Sequence, residues 1–214
     1  MRCTAAARIS RVTTAGAPLG LGAVVLTGGT GRRLGGVDKA ALEVDGVTLL
    51  ERALVTAAAA REVVVVGPAA PTSRPVTWTV EDPPLGGPAA GLLAALDRFE
   101  VPPDLVAVLA VDMPQVGAAT LARLTWAVER DPAADGAVLV DTEGRRQPLA
   151  AVYRTAALAA VRAALDGPVH GLPVRRLVAP LRLVDVPALG DEARDVDTWD
   201  DVAAVRATEG GASG

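Results

Sequence analysis

The stretch AVVLTGGTGRRLGGVDK, from Ala23 to Lys39, indicates both a fold and a class of ligand. Its first four residues, Ala23 to Leu26, form a short apolar run that is typical of a buried strand. The loop that follows holds five glycines and three cations: Gly28, Gly29, Gly31, Gly35, Gly36, Arg32, Arg33 and Lys39. Glycines let backbone N–H groups converge on one point, and such nests bind anions. Because arginine and lysine neutralise phosphate oxygens, the loop predicts a polyphosphate site rather than a plain surface turn.

Neither of the two best-known phosphate loops fits this pattern. The dinucleotide motif G-x-G-x-x-G, aligned on Gly29 and Gly31, meets Leu34 where its third glycine should stand. The P-loop motif, aligned on Gly31 and Gly36, meets Val37 where its lysine should stand. These mismatches disfavour an NAD-dependent oxidoreductase and a P-loop NTPase.

Beyond the loop, short apolar runs alternate with longer segments rich in alanine and leucine. The runs predict strands over 62–66, 76–80, 105–111, 137–140, 149–153 and 181–186, and the longer segments predict helices over 48–60, 91–98, 119–130, 156–165 and 199–207. We therefore expect an α/β fold, Rossmann-like, with a mostly parallel three-layer sheet and helices on both faces. A turn at Glu143-Gly144 indicates a hairpin, which would make the sheet mixed. Ligands of such sheets bind beyond the carboxyl ends of the strands.

The composition excludes several classes of protein. Of the 214 residues, 50% are hydrophobic but only 2% aromatic, so the core must consist of alanine, valine and leucine. A net charge of −4 and scattered arginines argue against a nucleic-acid partner or membrane binding. The single cysteine, Cys3, and the single histidine, His170, exclude a disulfide framework, a cysteine zinc site and a Cys-His or Ser-His-Asp centre.

The ends of the chain differ in composition from the rest. Residues 1–20 carry arginines but no acid and no apolar run typical of a secretory signal. We expect a disordered extension over 1–20, one domain over 21–208 and a flexible tail over 209–214. No apolar run reaches the roughly 18 residues of a membrane span, so a cytoplasmic protein is expected.

The glycine loop resembles the signature L-A-G-G-x-x-x-R-[ML]-G-x-D-K of the MobA-like nucleotidyltransferases, whose fold is that of the nucleotide-diphospho-sugar transferases. Matching positions hold Gly28, Gly29, Arg33, Gly35, Asp38 and Lys39. Thr27 stands where the family usually has alanine. Asp82 and the segment from Gly87 to Gly91 are similar to the family's Asp and G-P-L-A-G. The resemblance implies a nucleotide site made of Leu26, Thr27, Gly28, Gly29, Lys39, Asp82, Gly87 and Asp112, in which Arg33, Lys39 and Asp112 are catalytic.

Asp112, in the sequence Leu109-Ala110-Val111-Asp112-Met113-Pro114, matches the family's aspartate at the end of a strand. A carboxylate at that place is suited to Mg²⁺, which prefers one or two carboxylates together with phosphate oxygens and water. A turn-forming aspartate before proline is the structural alternative. The sequence thus predicts Mg²⁺ as cofactor and Asp112 as its ligand.

A second candidate ligand, Asp197, lies in a segment that resembles the family's D-x-N-T-P-E-D, with aspartate in place of asparagine. The same segment fits the capping box of the last helix, from Thr198 to Asp201. Both interpretations remain open at this point. The segment from Arg146 to Leu149 also resembles a family segment and is expected to face the acceptor.

The resemblance implies transfer of GMP from GTP to a phosphorylated acceptor such as a molybdopterin cofactor, with release of pyrophosphate. It also implies other proteins of cofactor biosynthesis as potential partners. Val66-Gly67-Pro68 stands where the family usually has an asparagine after the second strand, so the base is open. The alternatives are a transferase that uses CTP or another acceptor, such as phospholactate or a sugar phosphate, and a nucleotide-binding regulator without turnover.

Overall fold

A computed structural model describes residues 19–28, 38–81, 84 and 86–210. The strands are β1 (Leu21–Leu26), β2 (Glu43–Val44), β3 (Val47–Thr48), β4 (Val63–Val66), β5 (Thr77–Thr79), β6 (Leu105–Ala110), β7 (Gly136–Val140), β8 (Arg146–Arg154) and β9 (Leu183–Pro187). The helices are α1 (Leu49–Thr56), α2 (Pro88–Leu96), α3 (Ala118–Arg130), α4 (Thr155–Ala163), α5 (Val174–Leu177) and α6 (Trp199–Gly210).

Seven strands form one sheet in the order β5-β4-β1-β6-β8-β7-β9. Neighbouring strands are parallel except for β8, which runs antiparallel to both β6 and β7. The mostly parallel sheet and the hairpin through Glu143-Gly144 are therefore confirmed. Because β8 is reversed, its first residues lie at the same edge as the last residues of β7.

Two apolar clusters, one on each face of the sheet, make up the core. On one face α1 and α6 bury Leu54 and Val202, and on the other α2 and α5 bury Leu92 and Leu177. Short aliphatic side chains dominate both clusters, as the composition predicts. Tyr153 is the largest fully buried side chain, and its hydroxyl donates a hydrogen bond to the carbonyl of Pro148. The sheet with helices on both faces matches the expected three-layer fold.

The structure adds small elements that the apolar pattern does not predict. Strands β2 and β3 form a separate two-stranded hairpin, and α5 is a single turn of helix. The hairpin turns at Asp45 and Gly46, whose φ angles are 53° and 75°. Two successive residues with positive φ are the hallmark of the Asp-Gly hairpin turn. No helix in the described part of the chain is long and apolar enough to cross a membrane.

Candidate active site

Three segments of the chain meet beyond the carboxyl ends of β1 and β6. The backbone N–H of Val111, just after β6, donates to the carbonyl of Leu26 at the end of β1. The next residue is Asp112, whose own carbonyl accepts the N–H of Val196 at 2.7 Å. The C-terminal segment is thus attached by its backbone to the residue that follows the central strand, at the sheet edge where ligands of this fold bind.

The attachment of Val196 places an aspartate on either side of it. Val196 is fully buried and so anchors Asp195 and Asp197. Directly afterwards, the N–H of Thr198 donates to the carboxylate of Asp201, and the N–H of Asp201 donates to the Thr198 hydroxyl oxygen. This reciprocal pair is the predicted capping box at the start of α6. The segment that carries Asp197 is consequently fixed on both sides.

Lys39 comes from the other end of the chain and points to the same place. The carboxylate of Asp38 accepts the N–H of Ala40 and so starts a short 3₁₀ turn, Lys39–Ala41. The Lys39 ammonium donates to Asp112 Oδ2 at 3.1 Å and to Asp197 Oδ1 at 2.6 Å. These partners lie 73 and 158 positions away along the chain. The structure therefore brings together three of the residues that the sequence singles out.

The electrostatics of this cluster, Lys39 with Asp112, Asp195 and Asp197, are dominated by carboxylates. Burial lowers the pKa of Lys39, but its hydrogen bonds and charge interactions with Asp197 and Asp112 outweigh that effect and raise the pKa overall. Partial desolvation raises the pKa of Asp195 to about 6, and the charges of Asp112 and Asp197 add to the rise. Among the described residues of this cluster, one ammonium faces three carboxyl groups, so the cluster has an excess of negative charge and favours a further cation.

The predicted magnesium ligands can be tested against this geometry. No group of three or more His, Cys, Asp or Glu side chains able to hold a metal ion occurs in the described ranges. Mg²⁺ does not require such a cage, because one or two carboxylates with substrate phosphates and water suffice. Asp112 and Asp197 both reach one cation, the Lys39 ammonium, and both offer hard oxygen ligands. The donor set fits Mg²⁺ held jointly by protein and substrate.

The predicted nucleotide residues lie along the same edge. Gly28 is exposed, and a Cβ added there would meet no described atom within 4 Å. Gly87 precedes α2 with a φ of 84°, and a Cβ there would likewise meet no described atom within 4 Å. Leu26 and Thr27 are instead buried; the Leu26 side chain packs in the core, and the Thr27 hydroxyl donates to the carbonyl of Val66. Only backbone contacts with a nucleotide are therefore open to these two residues.

Three further predicted residues, Gly29, Arg33 and Asp82, lie outside the described residues. The start of β8 lies at the same edge of the sheet, but Arg146 pairs with Asp185 on β9 at 2.7 Å, and the Gln147 amide donates to Asp141. Their side chains are thus engaged within the β7–β8–β9 part of the sheet.

Asp195 is the member of the cluster that the sequence does not single out as a site residue. Its position two residues before Asp197 is the signal that could have identified it, since both flank a residue that is buried.

Comparisons with known proteins identify the family to which the chain belongs. A model of the MobA-like NTP transferase domain matches residues 23–186. A probable molybdenum cofactor guanylyltransferase from Opitutus terrae is 36% identical over 182 residues, covering 81% of this chain and 87% of the relative. One from Synechococcus elongatus is 35% identical over 142 residues, covering 63% of this chain and 72% of the relative.

Similarity extends to a solved structure. The crystal structure of molybdopterin-guanine dinucleotide biosynthesis protein A from Archaeoglobus fulgidus matches with a TM-score of 0.64 at 23% identity. The match covers 88% of this chain and 98% of that one, and at this identity it concerns the fold alone. From the family model and the relatives together, the chain belongs to the MobA-like NTP transferase family.

Proposed function

We propose that this nucleotidyltransferase moves GMP from GTP to the phosphate of a molybdopterin-type acceptor and releases pyrophosphate, with Mg²⁺ as cofactor. The observation that carries the proposal is the convergence of Lys39, Asp112 and Asp197 beyond the carboxyl ends of β1 and β6. We infer the molybdopterin acceptor and the guanine base from the relatives, which are named as probable molybdenum cofactor guanylyltransferases.

The reaction is a displacement at the α-phosphorus of the nucleotide. An acceptor phosphate oxygen forms the new P–O bond, while the bond to the bridging oxygen breaks and pyrophosphate leaves with its electron pair. No protein nucleophile takes part, which suits a chain with a single cysteine and a single histidine. Catalysis then consists of positioning and charge stabilisation.

Each residue of the proposed site has a defined role in this reaction. Lys39 and Arg33 bind and orient the triphosphate, and Lys39 stabilises charge that develops on the leaving pyrophosphate. Asp112 and Asp197 hold the metal, which when bound neutralises phosphate oxygens. Gly28 and Gly87 leave room for the nucleotide beside the backbone. Because GTP is a cytoplasmic metabolite, the proposal places the reaction in the cytoplasm.

One feature leaves room for a second candidate, a transferase that uses CTP. Val66-Gly67-Pro68 stands where the family usually has an asparagine after the second strand, and the N–H of Gly67 donates to the carbonyl of Thr79. The base is therefore not selected there by an asparagine side chain. Other proteins of cofactor biosynthesis are expected partners, because one enzyme must supply the acceptor and another must use the product.

Pyrophosphate release tests the proposal. Purified protein is mixed with Mg²⁺, a molybdopterin acceptor and GTP, CTP or ATP in parallel, and the product is identified by mass spectrometry. We expect GTP to be the best donor and release to require the acceptor. Preference for CTP would mean that the enzyme transfers CMP rather than GMP. Nucleotide binding without pyrophosphate release, under every combination of nucleotide and acceptor, would support a nucleotide-binding regulator instead.

A further inference from the structure

The Lys39 ammonium is committed to protein groups in the free enzyme. It contacts two carboxylates, and the Lys39 side chain is only 8% exposed. Charge-assisted contacts of this kind are stronger than neutral hydrogen bonds. Lys39 can therefore bind a triphosphate fully only after it leaves at least one of them.

Resting on the function proposed above, we infer that Asp197 and Asp112 hold the Lys39 ammonium in the place that a divalent cation would occupy. Lys39 leaves these two carboxylates when Mg²⁺ arrives with the nucleotide. In this arrangement Asp197 is a positioning residue as well as a metal ligand. It keeps Lys39 away from a nucleotide that lacks Mg²⁺. The site would thus select the magnesium complex of the nucleotide over the free anion.

The stronger of the two contacts is the one to Asp197. Its Oδ1 atom lies 2.6 Å from the ammonium, against 3.1 Å for Asp112 Oδ2. The side chain of Asp197 is also more exposed, at 44% against 28%. A cation that arrives from solvent would therefore meet Asp197 first, and Asp197 governs the release of Lys39.

The exchange requires side chains to move but not the backbone. Asp38 fixes the turn at Lys39, and the bond from Val196 to Asp112 fixes the two acidic segments relative to each other. Lysine has a long flexible stem and a compact charge, so it can turn between carboxylates and phosphates. Electrostatic repulsion also favours the magnesium complex of the nucleotide, because the excess of carboxylates among the described residues of the cluster opposes binding of a free polyphosphate.

The composition of the chain makes this lysine unusually easy to follow. Lys39 is the only lysine among the 21 cationic residues, and the other 20 are arginines. Protein labelled with ¹³C and ¹⁵N at lysine therefore gives one set of side-chain NMR signals. Those signals report directly on whether Lys39 has left its carboxylates.

The central experiment is a calorimetric titration of GTP, with EDTA and separately with Mg²⁺, into the wild type, Asp197→Asn and Asp195→Asn. Each variant loses one negative charge of the cluster, but of the two substituted aspartates only Asp197 has a hydrogen bond to Lys39 in the described structure. In EDTA, Asp197→Asn should bind GTP roughly tenfold tighter than wild type, the order of one charge-assisted contact. The increase in GTP affinity in EDTA should be clearly smaller for Asp195→Asn.

The double variant Asp197→Asn/Lys39→Met should not show the tighter GTP binding of Asp197→Asn, because that tighter binding depends on a lysine released from Asp197. In wild type, Mg²⁺ added together with GTP should shift the single set of lysine signals, and GTP in EDTA should shift it much less. Thermal unfolding of every variant checks that each one folds.

The outcomes separate the inference from the proposed function. If Mg·GTP binds to wild type but Asp197→Asn gains nothing in EDTA, or Asp195→Asn gains as much, the lysine exchange is wrong and the function stands. Lysine signals that bound Mg·GTP leaves unmoved would also overturn the exchange. If no nucleotide binds with or without Mg²⁺, the proposed function fails and the inference fails with it.

Discussion

At the scale of single residues, Gly67 shows how two positions at the sheet edge depend on each other. Its φ is 148°, and a Cβ at this position would overlap the Thr27 hydroxyl oxygen. That hydroxyl is in turn held by the carbonyl of Val66. Threonine at position 27 therefore requires a residue without a side chain at position 67, so the two positions form a matched pair.

Gly67→Ala should lower the free energy of unfolding by roughly 1–3 kcal/mol, because it adds both a steric overlap and backbone strain. Adding Thr27→Ala should restore part of the loss, since the overlapping oxygen is removed. Urea denaturation of the two single variants and the double variant measures this coupling. Gly28→Ala, where a Cβ meets no described atom within 4 Å, is the control. Additive effects of the two changes would show that the positions are independent.

Asp112→Asn should reduce turnover by orders of magnitude while GTP still binds in EDTA. The substitution removes an anionic ligand from a hard cation, and it leaves the nucleotide-facing backbone intact. Single-turnover pyrophosphate release at several Mg²⁺ concentrations, beside calorimetric binding in EDTA, measures both effects. Near-normal rates at ordinary Mg²⁺ would exclude Asp112 as a metal ligand.

At the scale of elements, α6 holds the C-terminal part of the site through its capping box. The Thr198 hydroxyl donates to the Asp201 carboxylate at 2.7 Å, and this bond is the main reason why the pKa of Asp201 falls to about 2. Capping and the proposed metal binding therefore involve different residues of the same segment. The two interpretations of this sequence, which compete when only the motif is known, are compatible in the structure.

Thr198→Ala should cost about 0.5–2 kcal/mol of stability, the usual range for a lost N-cap. Urea denaturation gives the value, with the exposed loop residue Thr142 changed to alanine as the control. Because Val196 is still anchored to Asp112, the chemical step should slow much less than in Asp112→Asn. A stability equal to that of the control would mean that the cap contributes nothing.

A second contact between elements, at Glu192, makes stability depend on pH. Burial raises the pKa of Glu192, but hydrogen bonds from Arg123, Thr120 and the N–H of Leu189 outweigh it, so the folded-state pKa is lowered. A lowered pKa stabilises the fold above the unfolded-state pKa of about 4.3, and the contribution disappears as the pH falls through the folded value.

We expect wild type to exceed Glu192→Gln in unfolding free energy by a constant amount between pH 6 and 8. The difference should shrink steadily below about pH 4.3. Urea denaturation of both proteins across this range measures it. A difference that does not change with pH would assign the contribution of Glu192 to packing rather than to charge.

At the scale of the whole molecule, a nucleotide with its metal would join segments from both ends of the chain. A ligand that binds only the folded state adds about 2.7 kcal/mol of stability at a concentration of 100 times its Kd. Mg·GTP should therefore raise the melting temperature of wild type, and Asp112→Asn should show a smaller rise. An equal rise in both proteins would remove Asp112 from the binding site.

The sequence predicts the large elements well, because their apolar runs are long enough to show a period. It misses β2, β3 and α5, which have two, two and four residues and depend on tertiary contacts. Asp45-Gly46 carries a hairpin signal even so. The convergence of Lys39 with Asp197 has no periodicity behind it, since 158 positions separate them and only the folded sheet joins them.

The attachment of Val196 to Asp112 has a consequence for how the protein is made. The last strand of the sheet ends at Pro187, so during translation every strand exists before Asp197 emerges from the ribosome. A chain released between these points would keep the sheet but lose Val196, Val202 and Val205 from the core. Such a product could fold, yet Lys39 would face a single aspartate. The protein therefore gains the full charge arrangement around Lys39 only after the segment that carries Asp197 has been synthesised, which is later than every described strand of the sheet.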